Sequence, residues 1–107
     1  MKHFEYLGRI EYRGEALSLY RTSYESDPGV PALLLLVEET GEPYCTLTVN
    51  LRKSTKKGEY TIKTWSENEN IYNFLVNEEI LSPTGVMIPT GFCKAAVCKL
   101  DIRKLSI

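Results

Sequence analysis

The chain has one histidine, one tryptophan and three cysteines among its 107 residues. A single histidine leaves few routes to acid–base or metal chemistry, and His3 lies at the N-terminus, a poor place to hold a general base. Cys45, Cys93 and Cys98 are odd in number and include no CxxC pair. That removes the common zinc and redox signatures and argues against a disulfide framework. Cys93 and Cys98 also sit at an odd spacing within one expected strand, so their side chains point to opposite faces and cannot share an ion. Gly58, Gly85 and Gly91 stand alone, with neither a P-loop nor a dinucleotide pattern around them. The longest apolar run, residues 32–37, falls far short of the roughly 20 residues that a membrane helix needs. The first residues interleave charge with Phe4 and Tyr6 and do not read as a signal peptide. Charge of one sign is missing too: 13 Lys plus Arg against 14 Asp plus Glu leave a net charge of −1. That balance argues against a generic nucleic-acid binder and equally against an acidic mimic of DNA. Together these absences lead us to expect a cytoplasmic, non-enzymatic protein with reduced thiols, no cofactor, no metal and no membrane.

What is present suits one folded domain over residues 1–107. The hydrophobic fraction of 43% and charged fraction of 25% are ordinary for a globular chain. Phe4, Tyr6, Ile10 and Tyr12 fall on even positions with Glu5, Arg9 and Glu11 between them, the alternation of a half-buried strand. Arg13-Gly14 offers a tight turn, and Leu17 and Leu19 begin a second strand, so residues 3–23 read as a hairpin. Asp27-Pro28-Gly29 marks a loop. The run at 32–37, short and bounded by turn residues, reads as a buried central strand. Cys45, Leu47, Val49 and Leu51 alternate with Tyr44, Thr46, Thr48 and Asn50, so 31–38 and 43–51 should pair as the central hairpin. Residues 60–65 read as a further strand.

The period then changes. Ser66 and Glu69 fit a capping box, and Ile71, Phe74, Leu75 and Glu78 share one helical face. These spacings predict a helix at about 67–80. Ser82-Pro83-Thr84-Gly85 and Pro89-Thr90-Gly91 interrupt the chain, so 81–91 reads as a structured loop before a last strand over 92–102. The expected class is α+β: a curved antiparallel sheet of five or six strands with the one helix packed on one face. Phe74, Leu75 and Ile71 should meet Leu35, Leu47 and Val49.

Three surface features are candidates for function. Arg52, Lys53, Lys56 and Lys57 place four cations within six residues, beside Tyr60. Such a loop can engage phosphates while an aromatic stacks on a base; it can equally be a solvated turn that keeps a sheet end in water. The expected helix carries acidic residues and no Lys or Arg. Glu67 and Glu69 suit the positive end of the helix dipole, whereas Glu78 and Glu79 sit at its negative end, where placement for a partner is one explanation. Seven tyrosines suit strands and interfaces alike, and Tyr12, Tyr44 and Tyr60 on one exposed sheet face would make a protein-binding surface. Cys45 falls on the apolar face of its strand, as a small hydrophobe.

Residues 38–51, followed by Trp65, a short Glu/Asn-rich helix, Pro83-Thr84-Gly85 and Gly91-Phe92-Cys93, resemble a family of small uncharacterised proteins. These are carried by plasmids, conjugative elements and prophages of gut Firmicutes and Bacteroidetes. The likeness covers about a third of the chain and carries no catalytic residues with it. The basic loop at 52–58 and the Lys94-Ala95-Ala96-Val97 run depart from the family pattern. What the resemblance implies is a genomic setting whose small proteins often antagonise host defence or regulate transfer.

The functional expectation is therefore a protein-binding module of a bacterial mobile element, directed at a host protein such as a defence complex. The alternative is weak nucleic-acid binding through residues 52–57. An exposed edge strand could also pair two copies of the chain as a homodimer.

Overall fold

Arg13 and Gly14 both take left-handed backbone, with φ of 53° and 78°. Two such residues in succession make the two-residue turn whose twist matches that of paired strands. They join β1 (Glu5–Tyr12) to β2 (Glu15–Ser23) as the expected first hairpin. The computed structural model describes residues 3–51 and 56–106. In it β3 (Pro31–Val37) and β4 (Pro43–Thr46) extend the meander to a four-stranded antiparallel sheet in the order β1-β2-β3-β4. A second antiparallel sheet holds β5 (Glu59–Ile62), β6 (Leu81–Pro89) and β7 (Lys94–Leu100) in the order β5-β7-β6.

The α+β class holds, but the single curved sheet of five or six strands does not: the strands divide into sheets of four and three. The division occurs inside the alternating segment 43–51. β4 ends at Thr46, and Leu47 still donates to the Leu33 carbonyl at 2.9 Å. Its own carbonyl then accepts from Lys63 at 2.8 Å, and Val49 donates to Thr61 at 3.1 Å. One edge of this segment thus serves β3 and the other serves β5, through an isolated bridge between Thr48 and Ile62. Thr48 breaks the expected inside–outside alternation because its buried hydroxyl is used: it accepts from Leu33 N at 3.2 Å and lies 2.9 Å from the Tyr24 hydroxyl.

Residues 81–91 are likewise corrected, from a loop to the edge strand β6. An edge tolerates Pro83 and Pro89 because a missing N–H need not face a neighbouring strand. The register shifts between Pro83 and Met87, where Gly85 takes a φ of 93°. There Thr84 Oγ1 donates to the Val97 carbonyl at 2.9 Å and accepts from Val86 N at 3.3 Å, so a side chain serves where the ladder is interrupted.

The helix is shorter than 67–80. A 3-10 turn, Ser66–Asn68, runs into α1 (Glu69–Asn77). The capping box does not form, because Ser66 is left-handed at φ 59° and the N-cap position falls to Asn68. Asn68 makes no side-chain cap; 1% exposed, it donates its amide to the Thr46 carbonyl at 2.8 Å instead. At the other end Ile80 N bonds to Leu75 O and Glu79 N to Val76 O, the nested pair of a Schellman motif, with Glu79 at φ 60° in the position glycine usually takes.

The core lies where the two sheets and α1 meet. Leu17, Leu19, Leu33 and Leu35 come from the first sheet, Ile62, Leu81 and Cys98 from the second, Ile71 and Leu75 from α1, and Leu47 from the crossing segment. Ile71 and Leu75 therefore join Leu35 and Leu47 as expected, with Phe74 at the margin, its ring 5.0 Å from that of Tyr12. Val49 is only half-buried and lies outside this cluster. The chain then returns alongside β1, where Arg9 and Ser106 exchange backbone bonds of 2.7 and 3.0 Å. Gly8 permits that approach: a Cβ there would stand 2.6 Å from Leu105 Cβ. Among the described residues no helix is long and apolar enough to cross a membrane.

Candidate functional site

Three surfaces carry the chemistry. The first surrounds the basic turn. Lys56 and Lys57 are exposed, in a turn closed by a 2.9 Å bond from Glu59 N to the Lys56 carbonyl, with Gly58 at φ 83°. Arg52 and Lys53 lie outside the described residues. Tyr60 is only 3% exposed, and its hydroxyl accepts from Arg21 Nη1 at 2.9 Å. Its ring therefore offers no face for a base to stack on, which corrects the part assigned to it in the sequence.

Arg21 is the residue that sequence reading missed. Its Nε and Nη2 both donate to Glu5 Oε1, at 3.0 and 2.7 Å. The bond to Tyr60, then that to Glu5, pushes its already high pKa further up. The signal was its parity: it shares the side of β2 that carries the buried Leu17 and Leu19, where a cation needs partners. Arg21, Thr22, Lys56, Lys57, Glu59 and Tyr60 line a shared groove of about 390 Å³.

The second surface is a cleft of about 510 Å³ where β4 leaves the first sheet, lined by Tyr24, Tyr44, Cys45, Lys63, Trp65 and Glu67. Lys63 Nζ sits 2.8 Å from Glu67 Oε1 and 5.9 Å from the centroid of the Trp65 ring. The Lys63 bond, helped by Ser66, holds the Glu67 carboxyl down to about 2. Burial pushes the Cys45 thiol up to about 11, with Glu67 adding to the effect and Lys63 opposing it. Burial does the same to Cys98, also to about 11, against a bond from Tyr72. Both are protonated at neutral pH and poor nucleophiles there. Tyr44 is exposed, but Tyr12 and Tyr60 are buried. The expected exposed face of three tyrosines is therefore absent; Tyr12 and Tyr44 instead pack edge to face, 6.5 Å apart.

Glu78 and Glu79 do not stand on a helix face. Glu78 is the C-cap of α1 and Glu79 lies beyond it, with Lys104 Nζ 3.4 Å from its carboxylate. Both are exposed.

The third surface is β6. Only β7 pairs with it among the described residues, so its other edge is open. Val86 and Met87 are exposed on it, and Phe92, just past its end, is fully exposed. No charged residue occurs from 80 to 93, in a chain that is 25% charged. Edge strands are normally guarded by charge; this one has only its prolines and its irregular register. Among the described residues no group of three or more His, Cys, Asp or Glu is placed to hold a metal ion.

No curated protein and no solved structure matches the chain. A family model does: it spans residues 18–107, from within β2 to the last residue, and takes in the basic turn, the cleft and β6. The chain belongs to the family described as a domain of unknown function, DUF4313.

Proposed function

We propose that the chain is a non-enzymatic protein-binding module whose contact surface is the β6 edge with Val86, Met87 and Phe92. The observation that carries this reading is the pairing of an open strand edge with large exposed apolar side chains in a stretch free of charge. Open edges accept a further strand, and exposed apolar patches mark contact surfaces. The partner's matching surface is uncharged and apolar. The non-enzymatic part is supported by the thiols: Cys45 and Cys98 are held protonated, and His3 is exposed at the N-terminus.

The cytoplasmic setting, the bacterial mobile element and a host defence complex as target rest on the sequence resemblance of residues 38–51 and 83–93. Weak nucleic-acid binding through residues 52–57 has less support, since Tyr60 is turned into the core. The test is affinity purification of the tagged chain from host lysate at low salt, with and without nuclease. A stoichiometric protein that survives nuclease is the expected result. Nucleic acid alone, lost as salt rises, would instead support the alternative.

A further inference from the structure

The basic turn plays no part in binding through β6, and the fold brings it a companion from a distant strand. We propose that Arg21, Lys56 and Lys57 form a subsite for a phosphomonoester or a similar small dianion, in the groove between the end of β2 and the turn before β5. Arg21 is fixed from behind by Glu5 and Tyr60, and three of its five N–H groups are used there. The remaining two are free to meet an anion in a fork that is already oriented. Lys56 and Lys57 stand exposed on the opposite wall, in a turn closed by its own backbone bond.

Three cations line the groove against the single carboxylate of Glu59, with Glu5 behind Arg21, so the balance stays positive. A groove of about 390 Å³ suits one small ligand. With Tyr60 buried, it offers no stacking platform for successive bases. A terminal phosphate therefore fits better than a polynucleotide backbone.

The test is an NMR titration of the full chain at low ionic strength with inorganic phosphate, and in parallel with an oligothymidylate that lacks a terminal phosphate. Saturable shifts at Arg21, Thr22 and Gly58 with phosphate are expected. Lys56→Ala with Lys57→Ala, both exposed, should leave the spectrum folded and weaken binding about tenfold or more through lost charge-assisted contacts. No saturation with phosphate, equal affinity in the lysine double variant, or a response to the oligonucleotide alone would each overturn the proposal.

Discussion

The Arg21 guanidinium reaches from the four-stranded sheet to the Tyr60 hydroxyl of the three-stranded sheet, 2.9 Å away. Among the described residues, this bond crosses between two sheets that share one isolated bridge, at Thr48 and Ile62. It also explains why an arginine is tolerated on the inward side of β2.

Tyr60→Phe keeps the ring in the core and removes the acceptor. Arg21 retains Glu5, so the expected loss is modest, about 1 kcal/mol. A urea melt measures it; an unchanged midpoint would mean that the bond does not help to join the sheets.

Asn68→Ala should cost more, about 1–3 kcal/mol, because it leaves the Thr46 carbonyl without its buried donor. Amide hydrogen exchange supplies a second readout: the first turn of α1 should lose protection while β1 and β2 keep theirs.

Glu79→Gly should stabilise the chain. Glu79 holds the left-handed position that ends α1, and relief of that strain outweighs both the extra freedom of glycine and an exposed ion pair with Lys104. The expected gain is up to about 1 kcal/mol. A loss would show that the Lys104 contact matters more than the backbone.

Alkaline pH should weaken the fold through its thiols. Cys45 and Cys98 titrate near 11 when folded, above their ordinary value of 9.0. A raised folded pKa means that the stabilising contribution is complete below pH 9 and is lost as pH rises through 11. Burial raises Tyr24 and Tyr72 in the same sense. Urea midpoints measured from pH 8 to 11 should fall, and thiol reagents should modify Cys45 and Cys98 slowly at neutral pH.

Much of the fold was legible where one local rule decided the outcome. Arg13-Gly14 fixed the first hairpin, and the short apolar run at 32–37, bounded by turn residues, marked the buried strand that carries Leu33 and Leu35. Legibility failed where a residue served two neighbours. Leu47 and Val49 look like the end of one strand, yet their backbone passes to β5. Pro83, Gly85 and Pro89 look like a loop because the signals that forbid a central strand permit an edge. Ser66 and Glu69 match a capping box, but Asn68 is drawn to Thr46 and the turn tightens. Of the basic turn, Lys56 and Lys57 lie as exposed as expected, whereas Arg21 joins them only through a pairing of distant strands.

Binding through the β6 edge is tested most directly by comparing the full chain with a Val86→Lys, Met87→Lys variant. Both positions are exposed, so the variant should fold, as circular dichroism and a thermal melt would verify. The measurement is retention of the nuclease-resistant partner by each. Loss of that partner by an equally folded variant is the predicted result. Equal retention by both, or no protein retained by either, would contradict it.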